Sequence, residues 1–551
     1  MNAINRQRTS SLIRVNNLIT TFVKSQYGKV DQYKILKEVN NILELECSDL
    51  GCAAQFSEIL TFERIQAELS SINEKESHRK KQGVYYTPHD LVDFININLV
   101  KLYYSKLCET NLGNKSFSFQ PKIVKDLLYK RTVFDPTCGT GEFLLSFLKI
   151  KFDLLDQHSS RLSVKLVHKI LETIWGNDIN SESIKITQVR LFLYVLQRYG
   201  CKFIVGLSEN LKQHFTSIDY VECSNSIKAV FDFVVGNPPY VEDSKSTSKP
   251  ANKYGNIYAN ILENSINHLS NKGVMGYVIP LSYISTPRMK KIRTIINDKM
   301  PEQYLLSYSD RPDCLFSAVH QKLNILFAKS NGIKMHYTSG YRYWYKHERI
   351  DLFNNVPIIN NPWFIDTDFI PKISNEVERS IFAKVYNPTK DNGILSKIID
   401  SGQAIYLNMR ATFWIKAFLE KHEGSEYKAL IFDKNISYFM MCLFNSSLFW
   451  WYWVCVSDCW HITKKELNSI FIPEQFDAEK FRNLAFRLET CLEKTKVYVG
   501  TKQTTYEYKH KLCIEIIHEI DDLISDIYGL TNLESEYIKN FNLKYRTGRG
   551  R

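Results

Sequence analysis

The chain lacks most of the features that would let composition alone assign it. No secretory signal precedes its twelve irregularly spaced cysteines, so a disulfide-stapled secreted fold is excluded and free, mostly buried thiols in a reducing cytosol are expected. Cys455, Cys459 and His461 resemble three soft ligands, but no second Cys/His pair stands at zinc-finger spacing, so no metal site is expected. No internal repeat is evident, and no membrane span. The best candidate, Tyr438 to Val456, is interrupted by Asn445-Ser446-Ser447 and crowded with Phe449, Trp450, Trp451, Tyr452 and Trp453, which suits a buried or partner-facing element better than a lipid-facing helix. Acid is short: 71 Lys+Arg against 59 Asp+Glu leave a net charge of +12, which excludes an acidic disordered chain and admits a polyanionic partner.

What is present is length and pattern. The 551 residues allow three or four units at roughly 100–200 residues per domain. Residues 1–30 contain no acid, and Leu12, Val15, Leu18, Ile19, Phe22 and Val23 recur at helical spacing, so a basic helical arm is expected over 1–81, ending in the charged run Glu74 to Lys81. From 82 to 330, short apolar runs alternate with amphipathic helices, the pattern of a mostly parallel sheet with crossovers. Strands are expected at Thr132–Phe134, Ile174–Gly176, Phe231–Val235, Val274–Ile279 and Leu323–Ala328. Residues 331–475 lose any clean period. Residues 476–551 are expected to be helical to Gly529 and to end in a frayed basic tail holding Lys539, Lys544, Arg546, Arg549 and Arg551.

Three strand ends carry chemistry. The first leads into Asp135-Pro136-Thr137-Cys138-Gly139-Thr140-Gly141, a glycine turn between strand and helix where backbone can approach a ligand. It is neither G-x-G-x-x-G nor a Walker A loop, which disfavours phosphate binding of the ATPase kind. The second ends in Asp178, a carboxylate able to accept both hydroxyls of a ribose. The third runs into Asn237-Pro238-Pro239-Tyr240. Two prolines fix the backbone and remove competing amides, so that the Asn237 side chain and the Pro238 carbonyl can be held as paired acceptors, with Tyr240 as a stacking face.

At these residues, and in their order behind Gly83-Val84-Tyr85-Tyr86-Thr87-Pro88, the sequence resembles the gamma-class N6-adenine DNA methyltransferases, the TaqI-like and type IIG-like enzymes. The resemblance covers about 80–330 and extends loosely into Leu443–Trp450 and His461–Leu467. It implies an α/β fold: a class I, Rossmann-like methyltransferase core at 82–330, a mixed α/β target-recognition domain at 331–475, and helical segments at both ends. It implies S-adenosyl-L-methionine as cofactor, held by Tyr86, Thr87 and Pro88 at the methionine end and lined by Asp135, Thr137, Gly139 and Gly141. Asp178 would take the ribose, Ile179 would pack on the adenine ring, and Asp219, in preference to Ser208 or Glu209, would bind the adenine amino group. Asn237 and Pro238 would accept from the N6 hydrogens of a flipped-out target adenine, stacked between Tyr240 and Phe316, with no metal required.

The implied partners are double-stranded DNA and a separately encoded restriction endonuclease, in the cytoplasm and away from membranes. Tyr341, Arg342, Tyr343, Trp344, Tyr345, Lys346, Arg410, Lys464 and Lys465 are expected on a DNA-facing surface, and Glu242 to Asn252 as a mobile loop beside the base. Three alternatives stay open: a bifunctional type IIG enzyme, although only about 80 residues precede the core and no nuclease triad is visible; methylation of protein glutamine or RNA guanine by the same tetrad; and a DNA-binding relic without turnover.

Overall fold

The computed structural model describes residues 2–45, 60–72, 87–107, 109, 112–113, 119–159, 161–316, 320–365, 368–389, 391–422, 424–500 and 505–548. Its centre is a nine-stranded mixed sheet in the order β3-β2-β1-β4-β5-β7-β6-β8-β9. The strands are β1 (Val133–Asp135), β2 (Ile174–Asn177), β3 (Phe215–Thr216), β4 (Phe231–Gly236), β5 (Leu269–Pro280), β6 (Glu302–Tyr308), β7 (Leu323–Lys329), β8 (Met335–Arg342) and β9 (Ile359–Asn360). The first five in sequence are mutually parallel, and β7 inserts antiparallel between β5 and β6. A mixed sheet of this kind is the α/β fold that the sequence resemblance implies.

Both faces of the sheet are buried, and the strand sequences show why they read as apolar runs rather than alternations. Val133, Phe233, Val235, Val278 and Phe327 face one core, with the helices His89–Tyr104, Glu142–His158 and Ser181–Tyr199. Phe134, Val234, Tyr277, Ile279 and Leu326 face the other, with the helices Tyr258–Asn267 and Lys290–Lys299 and the C-terminal half of the chain.

The structure departs from the expected boundaries. The sheet continues through β8 and β9, past residue 330. The helices Asn2–Gln26, Lys29–Leu43 and Phe62–Ser71 lie on the core instead of extending as an arm: Ser11 donates to Glu182 (2.6 Å), and the Glu38 carboxylate accepts from the Gly206 and Ser208 amides (2.9 and 3.0 Å) at the start of the helix Leu207–Gln213. The charged run 74–81 lies outside the described residues.

In the C-terminal half a three-stranded antiparallel sheet, β10 (Gln403–Asn408), β11 (Ala417–Phe418) and β12 (Tyr427–Phe432), stands beside the helices Lys434–Asn445 and Ser447–Val456, which meet at a 65° bend. Ser446 makes that bend by accepting from the Phe449 amide (3.1 Å) as the second helix's cap. Ser437 to Val456 is buried throughout. Among the described residues no single helix is long and apolar enough to cross a membrane, although this bent pair passes by length and composition.

The expected frayed tail is docked at Arg546, whereas Arg549 and Arg551 lie outside the described residues. Arg546, 4% exposed, lies 3.9 Å from the Trp414 ring centre and 4.4 Å from that of Trp450, and donates to the Phe413 carbonyl and the Ser447 hydroxyl (both 3.2 Å).

Candidate cofactor and amine site

Four successive parallel strands deliver the site from their carboxyl ends, the position where an open α/β sheet binds its ligands. At the end of β1, Asp135 is buried and its Oδ1 accepts the Thr137 amide (3.0 Å), which turns the chain out of the sheet. Burial, with the Asp178 charge adding to it, pushes the Asp135 carboxyl well above the usual carboxylate range. Gly139 and Gly141 then take φ of +53° and +87°. Gly141 has a second constraint: a Cβ there would stand 2.5 Å from Thr187 Cγ2, whose hydroxyl donates to the Gly139 carbonyl (2.9 Å).

After β2, the Asp178 carboxylate accepts the Gly139 amide (2.9 Å) and the Asn180 amide (2.8 Å), tying this acid to the glycine turn. After β3, Asp219 caps the short helix Tyr220–Cys223 by accepting the Val221 amide (2.9 Å). After β4 comes the tetrad. Asn237 Nδ2 donates to Thr87 Oγ1 (3.1 Å), and the Tyr240 hydroxyl lies 2.6 Å from Asn237 Oδ1 and 3.0 Å from the Val278 carbonyl of β5. Pro238 is buried, and its carbonyl takes no hydrogen bond from the described residues.

One cleft lies among these groups, although Asp135, Gly139, Gly141, Pro238 and Tyr240 are not on its wall. Pro136, Thr137, Asp178, Ile179, Asp219, Asn237 and Pro239 line about 920 Å³ of space that includes open solvent. The lining fits an adenosine-type cofactor. Ile179 leaves 64% of its apolar side chain uncovered on the wall, two carboxylates stand beside it, and the buried Thr137 hydroxyl has no protein partner.

Two features of the wall were not read from the sequence. The segment from Glu242 to Asn252, expected as a mobile loop, folds back on the cleft: Asp243 accepts the Gly255 amide (2.7 Å), Asn252 donates to Glu263 (2.9 and 3.0 Å), and Lys245 to Ser248 line the cavity. Buttressing of the glycine turn was missed as well. Arg190, 1% exposed, donates to the Thr140 carbonyl (2.6 Å), Glu142 (2.6 Å) and Gln66 (2.9 Å), linking the N-terminal helices to the turn.

Other expected residues fall elsewhere. Tyr86 lies outside the described residues, as does Ser317. Ser208 and Glu209 are absent from the cleft that holds Asp219. Phe316, expected to cover the flipped base, is 1% exposed, packs in the core and does not line this cleft. Of the residues expected to face DNA, Tyr341, Trp344 and Tyr345 are buried, and Lys465 is spent on the Ser285 and Val456 carbonyls (2.6 and 2.8 Å), while Lys346 and Lys464 are exposed. Among the described residues no cluster of His, Cys, Asp and Glu is placed to hold a metal ion.

The strand order thus gathers the three acids and the tetrad at one end of the sheet. Residues 172–310, which span β2 to β6, match the Eco57I restriction-modification methylase family. The type II methyltransferase M.VspI of Vibrio sp. (strain 343) is 22% identical over 272 residues, 47% of this chain and 53% of its own length. A putative type II restriction enzyme and methyltransferase of Methanocaldococcus jannaschii, RM.MjaORFECS2P, is 24% identical over 228 residues, 32% of this chain and 19% of its own. The chain thus spans about half of the first curated relative and a fifth of the second. Among solved structures, the type IIL restriction-modification enzyme MmeI, determined in complex with DNA, aligns over 98% of this chain and 96% of that one at TM-score 0.56 and 11% identity, a likeness of fold.

Proposed function

We propose that the protein is a restriction-modification DNA methyltransferase that transfers a methyl group from S-adenosyl-L-methionine to the exocyclic N6 of a flipped-out adenine in duplex DNA. The observation that carries this reading is the tetrad. Asn237 Oδ1 and the Pro238 carbonyl are two acceptors on a rigid turn, beside a cleft that also holds Asp178 and Asp219.

The chemistry asks for such a pair. Adenine N6 is a poor nucleophile because its lone pair is delocalised into the ring. Two acceptors placed on its two hydrogens favour a pyramidal nitrogen whose lone pair can attack a sulfonium methyl in line, the N–C bond forming as the S–C bond breaks to leave the neutral thioether and the surplus N6 proton passing to solvent. S-Adenosylmethionine supplies that electrophilic methyl; the chain's share is orientation. Thr137, Gly139 and Gly141 would line the cofactor, Asp178 would take its ribose hydroxyls, Asp219 its adenine amino group, and Ile179 one face of its base. Pro88 stands at the methionine end in this reading, and Tyr240 stacks on the extruded base. The base must leave the duplex, at a cost of a few kcal/mol. Lys346 and Lys464, both exposed, would contact the DNA backbone, and a separately encoded endonuclease would complete the system.

Methyl transfer from labelled cofactor, scored in parallel on duplex DNA, ribosomal RNA and release-factor protein, tests the substrate class, and label in DNA alone is expected. Asn237→Ala should lower that transfer by at least about a hundredfold while leaving DNA affinity, measured by anisotropy, near the wild-type value. Equal activity in the variant would overturn the assigned mechanism.

A further inference from the structure

An amide side chain is symmetric in shape and opposite in character at its two ends, so an asparagine can serve as an acceptor for an amino group only if something fixes which end faces the substrate. In this chain two hydroxyls hold Asn237, one at each end. Tyr240 Oη stands 2.6 Å from one terminal atom and Thr87 Oγ1 stands 3.1 Å from the other. The first separation belongs to an O–H···O bond and is shorter than an N–H···O bond, whereas the second is ordinary for N–H···O. The oxygen of the amide therefore faces Tyr240 and the nitrogen faces Thr87. Burial raises the Tyr240 phenol well above its ordinary value, so its hydroxyl keeps the proton that it donates. Tyr240 also has a second acceptor within reach, the Val278 carbonyl at 3.0 Å, to which that proton can turn when an amino group takes its place on Asn237. The Nδ2 end has no such alternative: among the described residues, Thr87 is its one partner.

Thr87 is well built for this task. It precedes Pro88, which holds it extended and opens the helix His89–Tyr104, and its side chain is 5% exposed. It is not among the residues that line the cleft.

We propose that Thr87 is a positioning residue for methyl transfer: its hydroxyl oxygen holds the Nδ2 end of Asn237, so that Oδ1 is presented to the amino group that is methylated. This role rests on the function proposed above and differs from the cofactor contact that the sequence resemblance implies for the same residue. Without the hydroxyl the amide is free to rotate by half a turn, and its own NH2 group would then face the substrate's NH2 group, two donors with nothing between them.

The test compares Thr87→Val, which keeps the shape and removes the hydroxyl, with Thr87→Ser, which keeps the hydroxyl. Single-turnover transfer to a DNA duplex at saturating cofactor reads the chemical step, and calorimetric titration with S-adenosylhomocysteine reads the cofactor site. The expected result is a fall of about tenfold or more in the single-turnover rate for T87V, unchanged S-adenosylhomocysteine affinity, and a rate near wild type for T87S. Should T87V not fold, T87A takes its place in the same comparison. A hydroxyl-free variant as fast as wild type would overturn the role. So would a variant whose only defect is weaker S-adenosylhomocysteine binding, since the hydroxyl would then serve the cofactor. A wild-type protein inert on DNA would overturn the proposed function together with this role, whereas an active wild type with an equally active T87V would overturn this role alone.

Discussion

Asp135 sits at the floor of the glycine turn with its carboxyl buried and a single backbone amide in support. Because burial raises its folded-state pKa above the unfolded value, the native protein holds a proton there that the unfolded chain has already released, and stability falls as pH rises through and above the ordinary carboxylate range. Asp135→Asn removes that cost. The variant should melt a few degrees above wild type at neutral pH, and the gap should close on acidification below the usual carboxylate pKa, as followed by melting temperature against pH. At this scale the sequence was informative where a side chain meets its partners through adjacent strand ends. Asp178 and Asn237 each follow an expected apolar strand, so the strand-then-polar pattern was enough to bring them to one cleft, whereas β3 ahead of Asp219 is two residues long and left no such pattern. It was uninformative where the partner depends on packing. Nothing in Cys314-Leu315-Phe316 distinguishes a ring over a substrate from a ring in the core, and the Thr87 bond to Asn237 joins positions 150 residues apart.

Among the elements, the five expected strands were legible because each is a short apolar run closed by a turn. β6, Glu302 to Tyr308, was missed: it opens on Glu302 and Gln303, both buried in the fold and both polar in any sequence pattern. The C-terminal tail shows the reverse error, since a basic, acid-free stretch reads as solvated whereas Arg546 is clasped by two indoles from distant segments. Burial lowers that guanidinium's pKa to about 10, which leaves it charged at neutral pH with Asp521 among the groups that favour the charge. Arg546→Ala should cost roughly 2–4 kcal/mol, seen as faster amide hydrogen exchange in the helices Ser447–Val456 and Leu543–Thr547 with the central sheet unaffected. Arg546→Lys should not restore protection, because an ammonium cannot stack between two rings and donate in plane. Protection in R546A equal to wild type would show that the tail's docking does not depend on this side chain.

For the whole molecule, the expected division into arm, core and recognition half gives way to closer integration. Strands β8 and β9, beyond residue 330, complete the sheet that holds the site. The N-terminal helices reach the glycine turn through Gln66 and Arg190. Composition could not foresee either connection, because a boundary drawn where periodicity changes does not register which surfaces pack together. The net charge of +12 is compatible with a DNA partner but does not carry the assignment, which rests on the tetrad and the cleft beside it. The most direct test is long-read sequencing of DNA from a methylation-free host expressing this chain. N6-methyladenine is expected at one recurrent motif, lost when Asn237→Ala is expressed in its place. Unmodified adenine throughout, or a signal that persists in the variant, would contradict the assignment.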